Sequence, residues 1–425
     1  MNSISKSQTV PGPMERAFVF FVLLLSTGAF QNLAVTPGDV PDAASGQANM
    51  QVLWILIYLV TIVLLFRTCK DAIRYAAREY LLLALVLLAL GSMMWSADPG
   101  VSLRRGAALV LTCLFGVYFA SRFTLREQLH LLAGICGTCV VFSLVFGILG
   151  IGTPVVDVIG SWYGVFVHKN VLGRMMVLCI LVFLTLVQAR SEKKSLLWIG
   201  AGLAFVLLLL SRSTTSLAVL VAMLAFLPFC GTLRRGKSPV ARIVLFAAAV
   251  STLGLYWVSN HLMDILQFLG KDVTLTGRLQ LWILSVTMAL RRPWLGYGYN
   301  AFWLGPGSSS ARLLAAIQWD APHAHNGLLE IWLELGLVGV GLFLVGFGIY
   351  LVRAAVFLRH QRTPGAIWPM CFLAFMFLSN LTESDFLARN AIFFILYVAV
   401  VITVSPKDRR YGRLTALNVP EGELA

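Results

Sequence analysis

The stretch HAHNGLLEIWLELGLVGVGLFLVGFGIYLV, residues 323–352, decides how the rest of the chain is read. From Gly327 to Val352 its only charged residues are Glu330 and Glu334. About 20 apolar residues, at ~1.5 Å each, cover a ~30 Å hydrocarbon layer, so a run of this length is a membrane span. Its head is polar. His323, His325 and Asn326 sit where a loop becomes a helix, and the two glutamates, four apart, share one helical face just inside the boundary. Carboxylates at that depth are costly unless paired or near water, which marks a site. Asn326 or His325 falls near the N-cap, where exposed N–H groups attract an anion.

Outward from this segment the pattern repeats. Apolar runs centre on residues 17–35, 51–66, 79–96, 103–120, 128–150, 171–189, 196–210, 214–229, 240–259, 366–380 and 388–404. With 327–352 they predict an all-α polytopic membrane protein of about 12 transmembrane helices, residues 1–425 forming one integral membrane domain. Composition agrees: charged residues make up 12%, against roughly 25% in soluble domains, and the mean hydropathy is +0.83. The first run, beginning near Ala17, lacks a fitting small-residue cleavage site and is read as a span, not a signal peptide. The seven cysteines fall nearly all inside apolar runs, and the C-x-x-C of Cys136 and Cys139 is read as helix packing.

The net charge of +14 does not imply nucleic acid, because the basic residues are scattered between apolar runs. They set orientation instead. With the N-terminus cytoplasmic, 22 of the 33 Lys and Arg residues fall on the cytoplasmic side, including a basic tail over 406–425. Both termini are then cytoplasmic and the protein lies in a bacterial inner membrane. The eleven outer basic residues (Arg104, Arg105, Lys169, Arg174, Arg212, Lys271, Arg278, Arg291, Arg292, Arg312 and Arg389) run against the insertion rule and point to a local purpose.

The longest hydrophilic stretch, residues 260–325, becomes a large periplasmic loop between the ninth and tenth spans. It holds an amphipathic or re-entrant helix over 276–292, the turn-rich PWLGYGYNAFW (293–303) and a short helical piece over 311–319. Three smaller outer clusters join it: His168, Lys169, Asn170 and Arg174; Arg212 in SRSTTS (211–216); and Glu383, Asp385 and Arg389 in NLTESDFLARN (380–390). Such a set suits a polyanionic, membrane-tethered substrate. The H-x-H spacing of His323 and His325 occurs in metal sites, but zinc needs further ligands. Asp320 and His168 are candidates that no spacing fixes, so no metal is expected.

The stretches HKNVLGR (168–174), LLSRSTTS (209–216), TGRLQLW (276–282), PWLGYGYNAF (293–302), HAHNGLLEIWLELGLVG (323–339) and NLTESDFLARN (380–390) resemble, in wording and order, the ExoQ/Wzy-type polysaccharide polymerases and the related O-antigen ligases. The similarity spans about 160–400. It implies a GT-C-like, metal-independent glycosyltransferase without cofactor, working at the periplasmic face on undecaprenyl-diphosphate-linked glycan as donor and on a glycan acceptor. It also implies a chain-length regulator and a flippase as pathway partners. By this resemblance His325 is the general base, and Arg212 and Arg278 hold the diphosphate. His323, Asn326, Glu330, His168, Lys169, Arg174, Glu383 and Arg389 are supporting candidates.

The chemistry is coherent with those roles. A sugar hydroxyl needs a positioned base at neutral pH, and arginine forks can carry the charge of a departing diphosphate. The expected function is polymerisation of lipid-linked repeat units. The alternative is ligation of the glycan to lipid A–core. A transporter or flippase is disfavoured because no internal repeats with matched broken helices are found, and a scaffold would not need the His/Arg set.

Overall fold

The computed structural model describes residues 10–30, 48–68, 76–150, 160–189, 194–233, 278–305, 307–317, 321–361 and 363–406. Among them the structure is helical, with no strand. The helices are α1 (Pro13–Ser26), α2 (Ala48–Thr68), α3 (Tyr80–Gly91), α4 (Pro99–Arg122), α5 (Leu125–Leu149), α6 (Lys169–Gln188), α7 (Lys194–Leu210), α8 (Thr214–Leu233), α9 (Arg278–Arg291), α10 (Ala311–Ile317), α11 (Gly327–His360), α12 (Trp368–Ser379) and α13 (Ile392–Val404). The run at 240–259, most of the basic tail and the first part of the long loop lie outside the described residues.

Six of these helices are long and apolar enough to cross a membrane, and four shorter apolar ones accompany them, so this is a multi-pass membrane protein. Burial explains the shorter ones. Nearly every side chain of α13 is buried, from Ile392 to Val404. A helix apolar all round and enclosed by protein is not measured against lipid thickness. By contrast α2 leaves Val52, Ile55, Leu56, Leu59, Val63 and Phe66 more than half exposed, a stripe that lipid would cover.

Polar contacts gather at the two ends of the bundle. At one end Arg122 pairs with Glu15 (2.6 Å), Arg16 with Glu127 (2.8 Å) and Arg353 with Glu79 (2.7 Å). The other end collects the starts of α4, α6, α8, α9 and α11 and the loop between α12 and α13. Two run ends are set by contacts from distant parts of the chain, both at this second end. α1 stops at Ser26 because Phe30, at φ +67°, donates its N–H to the Val165 carbonyl (2.7 Å). α13 starts at Ile392, not 388, because Asn390 sits at φ +59° with its N–H held by the Thr112 hydroxyl (3.0 Å).

The deciding segment is not one continuous helix. α11 breaks at Gly336, whose φ of +68° and ψ of −170° lie in a region open essentially only to glycine. The turn-rich loop threads through this break. Leu337 and Val338 donate their N–H groups to the Pro293 and Trp294 carbonyls, while Tyr297 and Gly298 donate to the Leu333 and Glu334 carbonyls (2.8–3.2 Å). Irregular backbone at membrane depth is tolerated only where protein satisfies it, as here. A Cβ at Gly336 would lie 2.1 Å from the Trp294 carbonyl. Gly336→Ala is therefore expected to cost on the order of 3 kcal/mol or more. Thermal unfolding of the detergent-purified protein checks this, and a melting temperature like the parent's would contradict it.

Candidate active site

Each functional side chain is delivered by a chain segment that must change course. α6 begins at Lys169 because His168, extended at φ −150°, caps it: its Nδ1 accepts the Asn170 N–H (3.2 Å). The His168 ring also packs edge-on against Tyr163, at 6.0 Å between centroids. Asn170 and Arg174, one helical turn apart, then face the 380–390 loop. α11 begins at Gly327 because the Asn326 side chain accepts the N–H groups of Leu328 and Leu329 (both 3.1 Å). Gly327 itself must lack a side chain, since a Cβ there would lie 2.5 Å from the Phe386 ring. His325, immediately before the cap, adopts φ +50°.

The segments meet at one carboxylate. Glu383, 8% exposed, lies 3.4 Å from Arg278 Nη2, 3.6 Å from Arg174 Nη1 and 3.6 Å from His325 Nδ1. It also accepts from the Asn170 side-chain amide (3.4 Å). Asn170 Oδ1 in turn accepts from the Ser213 hydroxyl (3.1 Å), tying in the SRSTTS turn. Arg174 makes a second, closer pair with Asp385 (2.5 Å), and its buried Nε has no hydrogen-bond partner among the described residues. Arg212, at φ +51°, rests its guanidinium over Gly160, where a Cβ would meet it at 3.3 Å. So Arg278 and His325 share one carboxylate with Arg174. Arg212 stands one residue from the Ser213 that joins this network.

Burial alone would raise Glu383, but the adjoining His325 ring and the nearby Arg174 charge outweigh it and hold this carboxyl well below the usual range. Asp385 goes the other way: burial raises it, Arg174 opposes and Glu383 adds to the rise. His323 lies with its ring 4.1 Å from that of His325, and its Nδ1 accepts the His325 N–H (3.2 Å). Burial first and the His325 ring second push its pKa down from 6.5 to about 3, so it is neutral in the folded protein. The unfolded chain therefore binds more protons than the folded one between about pH 3 and 6.5, and stability falls as pH drops through that window. Glu383 adds the same sign below its ordinary 4.5. Stability, followed as melting temperature, is expected to be flat above about pH 7 and to fall below it, the unfolding free energy by at most about 1.4 kcal/mol per pH unit for each proton. His323→Gln should remove the part between 6.5 and 4.5.

His323, His325 and Glu383 also form a set whose donor atoms all lie within 4.8 Å of one another, a composition able to hold a metal ion. The third ligand is Glu383, which sequence spacing did not single out. Asp320 lies outside the described residues and His168 is engaged as a helix cap. Two guanidinium groups on the same carboxylate oppose a divalent cation there.

The remaining candidates divide. Glu330 Oε2 accepts the Ala324 N–H (2.7 Å), bracing the histidine loop. Lys169 is half-buried at the start of α6. Arg389 lies in a separate cavity with Glu330, Glu334, Arg105 and His323. Asn170, Ser213 and Asp385 belong to the network although sequence reasoning left them off its site. The only signal for them was their place beside His168, Arg212 and Glu383.

Residues 175–344 match the family model described as O-antigen ligase. The chain is also 27% identical over 431 residues to the exopolysaccharide production protein ExoQ of Rhizobium meliloti (strain 1021), covering 97% of this chain and 94% of the relative. Together these support a function of the polysaccharide polymerase or O-antigen ligase type. Arg212, Arg278, His323 and His325 lie within the matched domain; Arg174, Glu383 and Asp385 lie outside it. The resemblance carried by the six motifs therefore stands: residues 175–344 are similar to the O-antigen ligase family model, and nearly the whole chain is similar to an exopolysaccharide production protein.

Proposed function

We propose that the protein polymerises undecaprenyl-diphosphate-linked oligosaccharide repeat units at the periplasmic face of the inner membrane, by glycosyl transfer without a metal and on a GT-C-like scaffold. The observation that carries this reading is the shared Glu383 carboxylate, which brings His325, Arg278 and Arg174 together from three distant segments. With Nδ1 turned to Glu383, the other ring nitrogen of His325 takes the proton of the acceptor hydroxyl. A carboxylate behind an imidazole orients it and stabilises its protonated form. The hydroxyl oxygen forms its bond to the anomeric carbon as the bond from that carbon to the diphosphate breaks. The electron pair leaves on the diphosphate, facing Arg278, Arg174 and Arg212. Each guanidinium has five N–H donors, more than Glu383 and Asp385 use, so donors remain for phosphate oxygens.

The excess of Lys and Arg at the opposite end of the bundle supports a periplasmic site. The end-to-end likeness to an exopolysaccharide production protein favours polymerase. The domain match described as O-antigen ligase favours the second reading, transfer of glycan to lipid A–core. A deletion strain separates them: single repeat units left on the lipid carrier identify a polymerase, and full-length lipid-linked polymer absent from lipid A identifies a ligase.

Purified protein in lipid nanodiscs, given lipid-diphosphate-linked oligosaccharide, is expected to form glycosidic bonds at the same rate with and without EDTA. Absence of product refutes the transferase reading. Loss of product on chelation, restored by zinc, refutes its metal-free form.

A further inference from the structure

A second polar space adjoins the cluster. It is a cavity of about 230 Å³ lined by Arg105, Asn300, Trp303, His323, Glu330 and Glu334, and closed by residues 384 and 386–389 of the loop. That loop is a wall with two faces. Glu383 and Asp385 point to the arginine cluster, while Ser384 and Phe386 line the cavity. His323 is the shared corner, its ring 4.1 Å from that of His325.

The two glutamates of this cavity are held by neutral donors. Glu334, 3% exposed, accepts from the Asn300 N–H (3.0 Å) and side-chain amide (2.9 Å), and Glu330 accepts from Ala324. Arg105 donates from Nη1 to the Asn300 carbonyl (2.8 Å) and its charge acts on Glu334, while Arg389 has no ion pair among the described residues. Carboxylates that accept, guanidinium groups that donate and the buried ring of Trp303 thus face a common space. That is the complement of a polyhydroxylated ring, whose hydroxyls both donate and accept and whose C–H face packs on aromatics. The volume is below the ~300–1,000 Å³ of pockets for drug-sized ligands, so one ring fits and a chain does not.

We propose that this cavity is the subsite for the terminal sugar ring of the acceptor, seated against Glu330, Glu334, Arg105 and Arg389 beside the histidine pair. The proposal rests on the glycosyl-transfer reading for the word acceptor. The same chemistry would also suit the first sugar of the donor, and the two sources are separable by which end of the saccharide matters.

The test uses full-length protein in nanodiscs and, as probe, the oligosaccharide released by mild acid from the cell's lipid-linked pool. Binding is measured by titration calorimetry on three forms: the intact oligosaccharide, one reduced at its reducing end to an alditol, and one trimmed of its non-reducing terminal sugar by an exoglycosidase. The expected result is that intact and reduced forms bind alike and the trimmed form binds at least about tenfold more weakly. Arg389→Ala and Glu330→Gln should weaken the intact form by a similar factor. Ala388→Trp, which fills the cavity from its wall while leaving every charged side chain of the lining in the sequence, should abolish binding, while Arg278→Ala should leave it in place. Ala388→Trp and Arg389→Ala decide the matter if Glu330→Gln does not fold. Failure of the parent protein to bind any form overturns the proposal, as does binding that survives Ala388→Trp. Loss of affinity on reduction, with affinity kept on trimming, assigns the cavity to the donor and overturns it too. Failure of glycosidic-bond formation in the nanodisc assay is a separate outcome and counts against the transferase reading alone.

Discussion

Glu383→Ala is expected to cost about 3–5 kcal/mol of stability, the range for removing one partner from a buried ion-pair network. The carboxylate faces Arg174, Arg278 and His325, all with side chains only 10–13% exposed. Without it, two guanidinium groups are left buried beside an imidazole, with Asp385 as the only carboxylate remaining on Arg174 among the described residues. Their mutual repulsion and lost solvation are not screened as they would be at a surface. Glu383→Gln keeps the shape and a carbonyl for Asn170 but not the charge, so it should fall between parent and alanine variant. Thermal unfolding in detergent gives the ranking. Equal melting temperatures for all three proteins would contradict a shared-carboxylate network.

The second large effect belongs to His325. On the proposed mechanism His325→Ala removes the proton acceptor, and turnover should fall by about 10²–10⁴. Stability should change little by comparison, because the backbone there is fixed from outside the side chain. The neighbouring Asn326 N–H is held by the Ser384 hydroxyl (3.2 Å), and Gly327 N–H by the Asn380 carbonyl (2.8 Å). The apparent KM for lipid-linked donor should change less than turnover, since a proton acceptor acts mainly in the transition state. Turnover in nanodiscs measures this, and a variant with parental activity would support a scaffold in place of an enzyme.

How much of this was legible in the chain differs by level. Apolar length and charge bias made the bundle and its two polar ends readable, because lipid imposes those features on every span separately. Helix ends were readable where a local cap sets them, as at Asn326, and misplaced where a distant partner does. Val165 ends α1 and Thr112 delays α13, and neither contact leaves a trace within the run itself. The break at Gly336 was hidden for the same reason: its neighbours read as continuous helix, and only the Pro293–Gly298 backbone makes the kink worthwhile. At the site, residue types exposed His325, Arg278 and Glu383 as odd for a membrane boundary. Their meeting point could not be read, since it joins positions more than 50 residues apart through side chains with no common spacing. Asp385 and Asn170 gain their places only from that meeting.

The threading of residues 293–298 through the interrupted helix also makes this segment a ruler. Its carbonyls and amides are paired in fixed register with residues 333–338, and from the far side Ala97 donates its N–H to the Tyr297 carbonyl (2.8 Å) and Trp95 its indole N–H to the Leu295 carbonyl (2.8 Å). Surface connections usually absorb an inserted or deleted residue. Here a one-residue change would slide every pairing at once, so length in this stretch is as constrained as identity is in a catalytic triad.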